Sequence, residues 1–341
     1  MAPACVHLAR RAACAVLAGT LLAPSLAAAD TAWKVRFWGP KRASLQPYEW
    51  YAKEVAAKTG GRMKLEIAYG KGDASESLAL LKAGAVDAAY ICTQYVADKL
   101  PLLTVVDLPM FSPEDVVALG RMEIALSDQP AIDAELRQWN ARMLVPTPLK
   151  QYQLMGTRRV ARLDDFRGAK IRMSGEMGRI LAAYGAEVVN FPAPESAAAI
   201  RSGRVELVAL PYPSTLAAYK VHEVSRYVTE KISLGAALCF LGVNARSWDA
   251  LPADVRRTML ELREPMVARY AEAYGAEDAP DIAAFRSKGL EFVTFNPVDR
   301  ARLVARAIKV WDAWIDEREK RGLKGREVFE FAQRKIREYT Q

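Results

Sequence analysis

Chemistry in this chain has to rest on arginine, because the other reactive side chains are scarce or poorly grouped. There are two histidines, His7 and His222. His7 lies at the extreme N-terminus, so a Ser-His-Asp or Cys-His nucleophile system would have to use His222 in "AAYKVHEVSRY". A single imidazole on an amphipathic helix is more often packing than catalysis. No HExxH or histidine cluster offers a metal site. The loop "AYGKGDAS" has Gly72 after Lys71 where a phosphate loop needs Ser or Thr, and no GxSxG or GxGxxG is present. Asp164-Asp165 sit in a predicted turn, where aspartate bonds its own backbone. The expectation is therefore no enzyme, no metal and no cofactor.

Arg172 is different. In "DDFRGAKIRMSGE" (164–176), Lys170 to Met173 reads as a short strand and Ser174-Gly175 as the start of a helix. An arginine at a strand's carboxyl end, beside a helix N-terminus, stands where open α/β sheets collect ligands. Its planar fork matches a carboxylate, a contact contributing about 1.5–3 kcal/mol. A surface ion pair with a nearby acid would use the same residue equally well.

The elements that position Arg172 alternate strand and helix. "WKVRFW" (33–38), "MKLEIAY" (63–69) and "VDAAYIC" (86–92) read as strands, with helices between them and Ser75 as a candidate cap. The same β-α-β-α-β order recurs over 170–210, and "LLKAGAVDAAYI" (80–91) overlays "AIRSGRVELVAL" (199–210), about 120 positions apart. The overlay pairs Gly84 with Gly203 and Asp87 with Glu206. A helix-ending glycine is followed by a strand that opens apolar-acidic. Two similar α/β lobes are expected. The last third reads as long helices, 252–275 kinked at Pro265 and 297–322 capped by Asn296.

Of 341 residues, 51% are hydrophobic and 26% charged, as in soluble two-domain chains. The net charge of +8 is interspersed rather than clustered, so no nucleic-acid partner is expected. Arg10-Arg11, an apolar stretch and Ala27-Ala28-Ala29 before Asp30 form a secretory signal over 1–29, whose cleavage would leave the chain in the periplasm. Cys92 and Cys239 lie in apolar runs. Burial as free thiols is the first expectation, with one disulfide as the alternative in an oxidising compartment.

"LDDFRGAKIRMSGE", "GAEVVNFPAPESAAAIRSGRVE", "AYKVHEVSRYVT" and "WDALPADVRR" resemble the solute-binding proteins of TRAP (tripartite ATP-independent periplasmic) transporters, of the dicarboxylate-binding DctP type. The family's "L-x-D-L-K-G-x-K-I-R" element is matched by Leu163, Asp165, Gly168, Lys170, Ile171 and Arg172, with Phe166 and Arg167 in its L-K step. The likeness runs from about Trp33 to the C-terminal helices. It implies a type II periplasmic-binding fold with an interlobe cleft, lobe I over 30–148 plus 236–274 and lobe II over 149–235 plus 275–341. It also implies that Arg172 grips an organic acid, that the protein is a monomer, and that membrane permease subunits receive the solute.

Two departures from the family bear on the ligand. Gln151 or Tyr152 stands where many members carry a second arginine, and Ala209-Leu210 replace a polar pair before Pro211. With Tyr212, Trp38, Tyr90, Tyr95 and Gln94 as further candidates, the set suits a ligand with one carboxylate and an apolar body. A ligand-sensing module and a secreted hydrolase using His222 are the alternatives.

Overall fold

The computed structural model describes Met1 and residues 31–341; the expected signal peptide otherwise lies outside the described residues. A first unit runs through β1 (Thr31–Arg36), α1 (Gln46–Lys58), β2 (Met63–Ala68), α2 (Ser77–Ala83) and β3 (Ala88–Cys92). Helices α3 (Val116–Ser127) and α4 (Pro130–Arg137) lead to β4 (Ala141–Thr147), and the chain crosses to β5 (Tyr152–Gly156). A second unit follows through β6 (Lys170–Arg172), α5 (Gly175–Ala182), β7 (Glu187–Val189), α6 (Ser196–Arg201) and β8 (Leu207–Pro211). After α7 (Ser214–Ala218) and β9 (Tyr227–Glu230) the chain crosses back to β10 (Cys239–Asn244). It ends with α8 (Ala245–Asp249), α9 (Ala253–Glu261), α10 (Arg263–Ser287), β11 (Glu291–Thr294), α11 (Pro297–Lys320) and α12 (Gly325–Tyr339). No helix among the described residues is long and apolar enough to cross a membrane.

The strands form two sheets, β2-β1-β3-β10-β4 and β11-β9-β5-β8-β6-β7. In each, the unit's first strand lies between its second and third, all parallel. The next strand in each sheet is antiparallel and enters from a crossing, β10 beside β3 and β5 beside β8. This is the two-lobed α/β architecture expected.

The sequence overlay has a physical cause. Asp87 accepts a hydrogen bond from the backbone N–H of Lys34 in β1 at 2.9 Å, and Glu206 accepts from that of Lys170 in β6 at 3.1 Å. Each acid satisfies a strand amide and locks its third strand to its first. Gly84 and Gly203 end the preceding helices at φ +70° and +73°, where a side chain would be strained. The cap before α2 is Asp73 rather than Ser75: its carboxylate accepts from Ser75 N, and Glu76 returns a bond to Asp73 N.

Two sequence expectations are corrected. Cys92 and Cys239 are register partners across β3 and β10 and form a disulfide, so they are not free thiols. Pro265 does not kink a helix. The break falls at Leu262, between α9 and α10, and Pro265 sits in the first turn of α10, where a missing N–H costs nothing. Asn296 caps α11 as expected, accepting from Val298 N and Asp299 N. Helix α11 joins the lobes: Trp314 donates to Thr104 Oγ1 at 2.8 Å beyond β3, while Arg318 pairs with Glu176 at the start of α5.

Candidate functional site

A cavity lies where the carboxyl ends of both units face each other. Trp38 and Arg42 follow β1, Gln94 and Tyr95 follow β3, and Tyr152 starts β5 opposite Pro211 of β8. The disulfide, Tyr90, Leu210 and Tyr219 complete much of the wall. Five aromatic side chains line it, and no Asp or Glu among the described residues does. The volume is about 20 Å³, against about 150 Å³ for a cavity that admits benzene. A ring can enter only with the lobes further apart.

Arg172 stands behind this cavity rather than in its wall. Its side chain is wholly buried and makes no ion pair among the described residues. Nε and Nη2 donate to Phe191 O at 3.0 and 2.8 Å, and Nη1 to Ala209 O at 3.2 Å. The remaining Nη2 hydrogen goes to Tyr95 Oη at 3.0 Å, across the lobes. Tyr95 Oη also accepts from Ala193 N at 3.0 Å. With both acceptor positions used, the hydroxyl has its own proton left to donate, and Tyr95 lines the cavity. Arg172 thus acts on the cavity chiefly through Tyr95.

Arg42 is in the wall. It lies in the loop between β1 and α1, well past the strand end at Arg36, so the strand-end signal that marks Arg172 does not mark it. Its guanidinium carbon lies 5.1 Å from the Trp38 ring centre, 5.6 Å from Tyr219 and 5.8 Å from Tyr90. Its one hydrogen bond among the described residues is Nη1 to Pro40 O at 3.0 Å. Gly39 makes room for it: at φ +71°, a Cβ there would lie 3.0 Å from Tyr219 Oη and 3.2 Å from Arg42 Nη1. Around Arg42, Trp38 Nε1, Ser44 Oγ, Tyr90 Oη and Tyr219 Oη are buried and without a hydrogen-bond partner among the described residues, as is Gln94 Oε1 further along the wall. Burial pushes the Tyr219 hydroxyl up, with Arg42 pulling the other way, so it stays a neutral donor.

The description "bacterial extracellular solute-binding protein, family 7" matches residues 35–317. The chain belongs to that family. This family 7 protein is similar to a curated solute-binding protein of Verminephrobacter eiseniae, 22% identical over 75% of this chain and 76% of the relative. A TRAP solute-binding protein of Rhodoferax ferrireducens, in complex with copurified benzoate, superposes with TM-score 0.81 at 22% identity, covering 91% of this chain and 98% of that one. A marine-metagenome TRAP solute-binding protein specific for aromatic acids, with 3-hydroxybenzoate, gives TM-score 0.82 at 18% identity, covering 92% and 100%.

In this family 7 protein the remaining candidates divide. Trp38, Tyr90, Tyr95, Gln94 and Tyr152 are brought together at the cavity. Gln151 and Tyr212 are not. Gln151 Oε1 accepts from Gly235 N at 2.9 Å and Nε2 donates to Pro113 O at 2.9 Å, which pins the two crossings to each other. Tyr212 turns away from the cavity onto Phe285, ring centres 6.2 Å apart. His222 packs on the same Phe285 at 5.3 Å, outside the cavity. Behind the disulfide, Asp107 accepts from Thr93 Oγ1 and from Leu238 N at 2.8 Å, and burial raises its carboxyl to about 7. No group of three or more His, Cys, Asp or Glu among the described residues could hold a metal.

Proposed function

We propose that the chain is the periplasmic solute receptor of a TRAP transporter, capturing an aromatic carboxylate between its lobes and delivering it to membrane permease subunits. The observation that carries this reading is the cavity's chemistry: five aromatic side chains, Arg42 in the wall, Arg172 behind Tyr95, and no acidic lining residue among the described residues. An anion with a planar apolar body meets all of these at once, through cation-assisted hydrogen bonds at its acid and stacking along its ring. The benzoate and 3-hydroxybenzoate held by two proteins of the same fold support the choice of acid.

Capture and delivery follow from the hinge. Two strand crossings and α11 connect the lobes, an arrangement suited to closure around a solute. Arg172 fixes Tyr95 as a donor to the carboxylate, and Tyr152 and Leu210 supply the opposite wall. Native mass spectrometry of freshly purified protein, with thermal shift against benzoate and succinate, tests the reading. Benzoate should raise the melting temperature and succinate should leave it unchanged. Stabilisation by succinate alone overturns the aromatic assignment.

A further inference from the structure

We infer that Arg42 is a second anion anchor in the cleft, and that the solute is an aromatic acid bearing a second polar substituent, a hydroxyl or a second carboxylate. The inference rests on the aromatic-carboxylate reading and narrows it.

The first support is the division of labour between the two arginines. Arg172 spends its N–H groups on Phe191 O, Ala209 O and Tyr95 Oη, and one Nη1 hydrogen is left over. Arg42 uses a single N–H, on Pro40 O. It is buried, yet forms no ion pair among the described residues. The acids on its outer side bond elsewhere: Glu277 accepts from Gln46 at 3.0 Å, and Asp278 pairs with Lys150. A buried guanidinium with unspent donors is unfavourable unless an anion meets it.

The second support is independent of charge. Trp38 Nε1, Ser44 Oγ, Tyr90 Oη and Tyr219 Oη, all on residues more than nine-tenths buried, border the cavity without a partner among the described residues, against one acceptor in the same state, Gln94 Oε1. Buried donors are ordinarily satisfied, so four around one arginine mark a place built for acceptor oxygens. The cavity wall therefore carries two sets of donors, Tyr95 backed by Arg172 and the cluster around Arg42, which adjoin where the Trp38 ring lies 5.4 Å from that of Tyr95. One carboxylate has too few lone pairs to meet both sets. A second polar substituent supplies the remaining acceptors.

Titration calorimetry with benzoate, 3-hydroxybenzoate and isophthalate tests this on wild-type protein and on Arg42→Gln and Arg42→Lys. Wild type should bind at least one two-ended acid about 10- to 100-fold tighter than benzoate, the range of one charge-assisted hydrogen bond. Arg42→Gln should reduce that ratio to about threefold or less, because the two-ended acid loses more affinity than benzoate does. Arg42→Lys, which keeps the charge and loses the fork, should fall between the two, and it serves if the glutamine variant does not melt cooperatively. Equal wild-type affinity for all three acids, or a ratio unchanged in both variants, overturns the anchor alone. Wild-type protein that binds none of the three overturns the aromatic reading and the anchor with it.

Discussion

Arg36 and Arg172 occupy the same register position in the two lobes. Arg36 pairs with Ala89 of β3 and Arg172 with Val208 of β8, each two residues after the lysine whose amide an acid holds. Both guanidinium groups reach the loop after their unit's second strand, Arg36 to Lys71 O at 2.6 Å and Arg172 to Phe191 O at 2.8 Å. An arginine here ties loop to sheet in both lobes. Only Arg172 adds the contact to Tyr95 across the cleft.

Lysine at either position therefore loses a fork that braces backbone. Arg36→Lys should lower the melting temperature by a few degrees, for a loss of about 1–3 kcal/mol, and leave solute affinity unchanged. Arg172→Lys should do the same and also weaken binding about tenfold or more, because Tyr95 loses its cationic partner. Melting curves and calorimetry on both variants check this; an Arg172→Lys protein with wild-type stability would remove the bracing role.

Gly39→Ala strains a residue at φ +71° and drives a methyl group to 3.0 Å from Tyr219 Oη. The cost is about 1–2 kcal/mol of backbone strain, with Arg42 displaced from its aromatic box. Affinity should fall more than stability alone explains. Wild-type binding by the folded variant would show that Arg42 tolerates the shift.

Gln151→Ala removes bonds to Gly235 N and Pro113 O without touching the cavity. Closure should become less favourable, so every acid should bind more weakly by one common factor, about tenfold. A loss confined to one acid, read by calorimetry across the panel, would place Gln151 against the solute instead.

Reducing the disulfide, or replacing both cysteines by alanine, opens a loop of 147 residues. Chain-entropy arguments give about 5 kcal/mol for such a loop, and about 2–4 kcal/mol is typical of measured cases. Urea unfolding with and without reductant should show a lower midpoint on reduction. No change would mean that the β3–β10 pairing holds the ends by itself.

Asp107 gives a pH dependence of unusual sign. Burial is the main cause of its rise from an ordinary carboxylate value to about 7, opposed by bonds from Thr93 and Leu238 and reinforced by Glu176. Between about pH 4 and 7 the folded protein then binds more protons than the unfolded chain, so this group's contribution falls as pH rises and is flat above. Glu123, whose burial beside Asp107 raises it well above its usual range, pushes the same way. Asp107→Asn should flatten stability over that window and be at least as stable as wild type at pH 8. Denaturant melts at pH 4.5, 6 and 8 measure it; an unchanged slope would locate the titration elsewhere.

The units and their ends were legible in the chain alone. Alternation, the glycines at 84 and 203 and the acids at 87 and 206 are local signals, and each acts on a neighbouring strand in a fixed register. The position of Arg172 at a strand end was legible for the same reason. What the tertiary structure decided are the partners. Tyr95 lies 77 residues from Arg172, the cysteines are 147 apart, and Gln151 reaches Gly235 across 84. The break at Leu262 was not legible because a proline suits a helix's first turn as well as a kink, nor was Arg42, which sits in a loop with no strand end to mark it. Local patterning fixes which face of an element is buried. Which side chain then meets which across the cleft depends on how two separately built sheets are brought face to face, and no periodicity in the chain encodes that contact.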